Sequence, residues 1–342
     1  MAIQKTLVAT AAAIGQSWAG IPGVEATPAG RIFVTWFSGG SREPMPENTI
    51  YLCHSDQNHS DQASRTFSKP VIIAAPKESA RAYDPCLWLD PAGRLWLIFN
   101  RGNKDAAEFG VYARICSQPD APEPAWSSEF QIDLSVPFAF RLNKPLPLST
   151  GEWIMPVTYS RQQTRQWFAG EAQLQGAAVS RDQGQSWRLY GAVHAPHWAL
   201  ENMIMEKTDG SLSMYIRTGA GTIWLSESHD HGRSWTQARP TTITNPGSRF
   251  FIRTLPDGQW LLINSPDPEK RTGMVAQLSS DQGSTWRGQL ILDERDQVSY
   301  PDAAITRDSI IYAVHDHDRA GAAEIWLSCF SQADIESGRA ES

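Results

Sequence analysis

Asp84, Glu201 and Tyr300 share a place in the sequence: each lies nine or eight residues before a turn residue, Gly93, Gly210 and Asp308 respectively. Arg249 stands nine residues before Gly258 in the same way. Arg101 and Arg217 follow Gly93 and Gly210 by eight and seven residues, and Arg141 and Lys144 flank the matching place before Gly151. One spacing rule thus gathers carboxylates, a phenol and several guanidiniums. Charged groups are costly to confine in a shared cleft unless they pair or bind something. The chemistry this set suits is capture of a small anionic ligand.

The spacing comes from a repeated element. TPAGRIFVTW, DPAGRLWLIF, LSTGEWIMPV, KTDGSLSMYI, LPDGQWLLIN and TRDSIIYAVH each set a Gly or Asp turn before alternating apolar residues, a hairpin signature. Their turn residues are Gly30, Gly93, Gly151, Gly210, Gly258 and Asp308, about 48 to 63 residues apart, the period of a propeller blade. A second motif repeats with the hairpins: SRDQGQSW (180–187), SHDHGRSW (228–235) and SSDQGSTW (279–286), with degenerate copies ending at Phe67 and Trp126. Its Asp suits an Asx-type turn, its Gly a positive φ, and its Trp a packing clamp, so these boxes read as turn staples outside the chemistry. The fold expected is all-β, a six-bladed β-propeller in one domain spanning 1–342, its sixth blade closed by an N-terminal strand. Innermost strands then line a channel, and the residues counted above collect at one mouth of it.

Composition narrows the partners. Of 342 residues 41% are hydrophobic and 20% charged, enough for a sizeable core. A net charge of −7 argues against nucleic acid or an anionic membrane as the main partner. No apolar run approaches the ~18 residues of a membrane span. Cys53, Cys86, Cys116 and Cys329 are scattered without C-x-x-C spacing and read as free buried thiols, not zinc ligands or a disulfide framework. MAIQKTLVATAAAIGQSWAG has the one Lys and the small, apolar residues of a weak secretory leader, but cleavage near Gly15 would leave almost no chain before IPGVEATPAGRIFVTWF, which already reads as structure. A cytoplasmic protein is the expectation, with a secreted or periplasmic one as the alternative. In HDHDR (315–319) strand alternation parts the histidines from the aspartates, so no metal is assigned, and no cofactor either. Trp36, Trp167 and Trp198 are candidate sugar-stacking platforms among fourteen tryptophans.

These residues resemble the sialidases (neuraminidases) and their BNR-repeat relatives, six-bladed propellers that carry such Asp boxes. ENMIMEKTDGSLSMYIR matches the glutamate and arginine of the family's fourth blade with Glu201 and Arg217. EKRTGMVAQLSSDQGSTW puts a second family arginine at Arg271, and VSYPDAAI puts the nucleophilic tyrosine at Tyr300, 29 residues later. Aligning on ENTIYL places Glu43 at the acid/base position, where the family has aspartate. The family opens its first blade with Arg-Ile-Pro, its arginine completing a three-arginine clamp on a sugar carboxylate; here Gly20, Ile21 and Pro22 stand there. Arg42, Arg101 and Arg141 are the local candidates to cover that loss.

The resemblance implies an exo-acting retaining glycosidase that releases a terminal acidic sugar from an anionic glycan or oligosaccharide. A phenol has a pKa near ~10, yet as a neutral nucleophile it avoids repulsion by the sugar carboxylate. Glu201 would take its proton, Arg217 and Arg271 would hold the carboxylate through planar forks, and Glu43 would protonate the leaving oxygen. Asp84, Arg101, Arg141 and Arg249 complete the expected binding set. Two other readings stay open. A polysaccharide lyase or other glycosidase on uronate glycans could use Tyr300 or His315 as base, and a non-catalytic propeller would bind glycans without turnover.

Overall fold

The computed structural model describes residues 3–55, 65–78, 80–102, 109–141, 143–162, 173–195 and 197–338. Trp167, and most of the degenerate box before Phe67, lie outside the described residues. Six sheets form six blades around a channel. In order from the channel outward, the first blade holds β2 (Ala19–Ala26), β3 (Ile32–Ser38), β4 (Thr49–His54) and β5 (Val71–Ala74). The second holds β6 (Arg81–Leu89), β7 (Leu95–Gly102), β8 (Phe109–Cys116) and β9 (Phe130–Ile132). In the third, β10 (Phe138–Phe140) and β11 (Leu146–Pro147) both pair with β12 (Trp153–Ser160), followed by β13 (Leu174–Ser180) and β14 (Arg188–Val193). The fourth runs β15 (Ala199–Glu206) to β16 (Leu212–Thr218), β17 (Thr222–Ser228) and β18 (Arg239–Thr244). The fifth runs β19 (Phe251–Thr254) to β20 (Trp260–Asn264), β21 (Thr272–Ser279) and β22 (Arg287–Asp296). The sixth contains β23 (Val298–Ile305), β24 (Ile310–His317) and β25 (Glu324–Ser331), and β1 (Gln4–Thr10) closes it as the outermost strand.

Each blade is covered by a neighbour on both faces, so inner strands are buried without alternation; every residue of β3 and of β12 is buried. Tryptophans bind blades together: Trp88 meets Trp153 edge-on at 4.9 Å across the second and third blades. Trp36 is fully buried and stacked 6.0 Å from Tyr51, a packing residue and not a sugar platform. The four cysteines are buried free thiols. The tail forms one short helix, α1 (Gln332–Ser337), capped by Ser331 and Asp334.

The boxes staple the turn after the third strand in identical fashion. Asp182 Oδ1 accepts the Ser186 N–H at 2.8 Å, and the Gly184 N–H donates to Ser180 Oγ at 2.8 Å. Asp230 and Asp281 repeat the pattern with Ser234 and Thr285. These hydrogen bonds hold all three aspartates at a pKa of about 2, with burial opposing the shift most strongly at Asp230.

The hairpin turns correct one expectation. The residue that takes positive φ in the sixth hairpin is Ser309 (φ 62°), not Asp308; its N–H donates to Thr306 O just as the Gly210 N–H donates to Lys207 O. With Ser309 as reference, nine residues separate inner-strand position and turn in the sixth blade too.

Candidate functional site

That position is a β-bulge. Ladder registers shift between Gly20 and Gly23, Tyr83 and Cys86, Leu200 and Met203, and Ser299 and Asp302. The first of the two residues inside each shift has a left-handed backbone: Ile21 (φ 58°), Asp84 (51°), Glu201 (56°) and Tyr300 (56°). Non-glycine residues pay ~1–3 kcal/mol for such a conformation, and it re-aims their side chains from the sheet toward the channel mouth.

Glu201 and Tyr300 meet there. The Tyr300 hydroxyl is 3.5 Å from Glu201 Oε1 and accepts a hydrogen bond from Arg217 Nη1 at 2.9 Å, while the same Nη1 bonds Glu201 Oε2. Arg217 pairs with Leu200 in the ladder, directly beside the bulge. Burial opposes the Arg217 charge, but Glu201 and Tyr300 more than reverse this and hold its pKa above the ordinary value. Gly247, itself at φ 66°, offers its carbonyl to both Arg217 Nε (2.8 Å) and Arg271 Nη2 (3.2 Å), fixing the two guanidiniums relative to each other. Arg271 has no carboxylate partner among the described residues. Its guanidinium lies 5.3 Å from the Tyr300 ring centre, and burial, with repulsion from Arg217 and Arg319, lowers its pKa.

Acidic groups face these cations. Glu43 lies between two arginines, 3.7 Å from Arg81 Nη1 and 3.8 Å from Arg319 Nη1. Asp84 is buried, and the Asn100 amide donates to its carboxylate at 3.4 Å. Burial first, then the charges of Glu43 and Glu201 against the relief from Arg81, push its pKa up to about 8. Asp84 is therefore a protonated acid at neutral pH, able to donate a hydrogen bond.

Three arginines read from the sequence lie elsewhere. Arg101 is turned away from the mouth, its fork closed on Glu129 (2.7 and 3.0 Å) and on the Ala75 and Ala80 carbonyls. The counting slipped by one: Asn100, not Arg101, holds the ladder place of Arg217, and a one-residue slip exchanges the faces of a strand. The same slip separates His315, which bonds Asp293 at 2.9 Å, from Asp316, which faces the site. Arg249 crosses the channel below the mouth to Asn143 (2.8 Å), Pro22 O (3.1 Å) and Asp302 (3.2 Å). Arg141 reaches the Asp84 carbonyl (3.1 Å), and Lys144 reaches Glu25 (2.9 Å). Arg249 and Arg141 thereby brace two bulges from beneath, and Lys144 braces β2 beyond its bulge.

Sequence reasoning missed Arg81, Asn100, Asp316 and Arg319. Asn100 follows Gly93 by seven, the spacing of Arg217, and was legible on that rule; Asp316 keeps the spacing only from Ser309, the turn residue that the structure identifies. Trp198 stands at the rim, 41% exposed, with the Arg217 guanidinium 5.0 Å from its ring centre.

Comparison with known proteins matches residues 30–313 to the family described as BNR repeat-like domain. No curated protein matches the sequence. Among solved structures, the Hadza microbial sialidase Hz136 superposes with a TM-score of 0.77 at 18% identity, covering 97% of this chain and 69% of that one. A protein of unknown function from Dyadobacter fermentans gives 0.74 at 14%, covering 97% and 98%. The intramolecular trans-sialidase from Ruminococcus gnavus, in complex with oseltamivir carboxylate, gives 0.70 at 15%, covering 96% and 97%. At these identities the likeness is one of fold.

Proposed function

This chain belongs to the BNR repeat-like domain family and has the sialidase-type six-bladed propeller, and we propose that it is an exo-acting retaining glycosidase for a terminal sialic-acid-like sugar. The observation that carries the reading is the Tyr300 hydroxyl, buried at the mouth within reach of both Glu201 and Arg217. Glu201 takes the phenolic proton as the oxygen attacks the anomeric carbon. The Arg217 N–H, already aimed at that oxygen, stabilises the charge that develops on it. Arg217 and Arg271 hold the sugar carboxylate; Arg217 Nη2 and Arg271 Nη1 and Nε have no protein acceptor among the described residues.

Glu43 gives its proton to the leaving oxygen as the glycosidic bond breaks. It then takes one from a water that attacks the anomeric carbon; the Tyr300–sugar bond breaks and the phenol regains its proton. Two displacements return the original anomer, the retaining outcome. Asp84, as a neutral acid, offers a hydrogen bond to a sugar hydroxyl. Proton NMR of the first-formed sugar tests the reading: the anomer of the substrate supports it, and the opposite anomer excludes a Tyr300 intermediate.

A further inference from the structure

Gly20 and Arg319 compete for one space. A Cβ built on Gly20 would stand 2.7 Å from Arg319 Cδ and 3.0 Å from its Cγ and Nε. Gly20 is not among the positive-φ glycines, so its backbone suits any residue; the stem of Arg319 is what excludes a side chain. That stem carries a guanidinium onto the nucleophile, 4.0 Å from the Tyr300 ring centre and nearer than Arg217 (5.4 Å) or Arg271 (5.3 Å).

The approach is braced. Asp316 accepts from Arg319 Nε at 2.8 Å, from the Ile21 N–H at 2.8 Å and from Ser299 Oγ at 2.6 Å, joining the first blade to the sixth. Arg319 Nη2 adds a bond to Ser299 Oγ at 3.2 Å. Arg319 and Arg271 then line one cavity of about 560 Å³ with Lys270, Asp296, Gln297, Ser299 and Ala320, three cations to one carboxylate, and that carboxylate accepts a hydrogen bond from Thr272 Oγ1 at 2.5 Å. A preorganised fork that faces this space beside a cation without a carboxylate partner is built to receive an anion.

We propose that Arg319, delivered from the loop after β24, is a carboxylate-holding residue of this site, and that it supplies the guanidinium which position 20 cannot carry. This rests on the acidic-sugar reading above, and the consequence is a reciprocal pair: either position can bear the arginine, never both.

The test is calorimetric binding of N-acetylneuraminic acid and glucuronic acid, each beside its methyl ester, to wild type, Arg319→Ala, Arg319→Lys and the double variant Gly20→Arg/Arg319→Ala, with thermal melts as fold controls. Wild type is expected to prefer an acid to its ester. Arg319→Ala loses that preference by on the order of 10- to 100-fold in affinity for the acid, with the ester unchanged. Arg319→Lys keeps part of it, and the double variant regains it. Gly20→Arg alone lowers the melting temperature, because the two stems collide. A folded Arg319→Ala protein that prefers the acid as strongly as wild type overturns the role of Arg319 alone. A wild type that binds no acid better than its ester overturns this inference together with the function it rests on.

Discussion

Glu201 and Tyr300 occupy the same bulge position in the fourth and sixth blades, and their side chains converge on Arg217: the Tyr300 hydroxyl lies 3.5 Å from Glu201 Oε1, and Arg217 Nη1 bonds both. Two residues 99 positions apart in the chain are brought together by a local backbone irregularity repeated around the ring. The strained conformation does the aiming, and the propeller does the bringing together.

Glu201 carries two duties, counter-charge and base, and one substitution removes both with separate readouts. Glu201→Gln keeps the side-chain volume but leaves the buried Arg217 without its counter-charge, at a cost of about 3–5 kcal/mol in stability. As the base is lost, kcat falls by roughly 10²- to 10⁴-fold. Chemical denaturation and steady-state rates on the same preparation measure both. A destabilised variant whose kcat stays within a few-fold of wild type would leave Glu201 a structural partner only.

Asp84 predicts a stability that depends on pH. Its folded pKa is raised from 3.8 to about 8, so between those values the folded protein holds a proton that the unfolded chain has released. Stability from this group is therefore lost as pH rises from about 4 to 8 and levels off above. Asp84→Asn removes that slope: relative to wild type, the variant gains stability steadily across the window. Urea denaturation at several pH values checks this, and parallel curves for the two proteins would contradict it.

Arg101 serves as the counter-example to a charge-based reading of the site. Its fork is spent on Glu129 and two carbonyls, so Arg101→Ala leaves Glu129 with Lys77 as its remaining partner and takes a charged donor from both carbonyls, at a cost of about 1–3 kcal/mol. The kcat/KM of the folded fraction stays within a few-fold of wild type. A rise in KM of tenfold or more in a protein with unchanged melting would place Arg101 in contact with substrate.

The blades were legible because each is announced locally by a turn residue of positive φ, and three of them also by a box whose hydrogen bonds span only a few residues. Asp84, Glu201 and Tyr300 were legible for the same reason: a fixed distance from the turn sets them in the bulge. Arg101 misled because a strand has period two, so an error of one residue selects the opposite face. Arg319 was hidden because its place is set by contacts with Gly20 and Tyr300 from other strands. The one trace in the sequence is a glycine at position 20 in a place where the backbone does not require it.

The central claim is that Tyr300 is the nucleophile, and release of fluorophore from an aryl α-sialoside by wild type and Tyr300→Phe tests it most directly. The substitution removes one oxygen and keeps the ring beneath the three arginines. The account predicts turnover by wild type and a loss of at least about 10³-fold in kcat for Tyr300→Phe, with binding of the free sugar acid retained. A variant that turns over the sialoside as fast as wild type would contradict it.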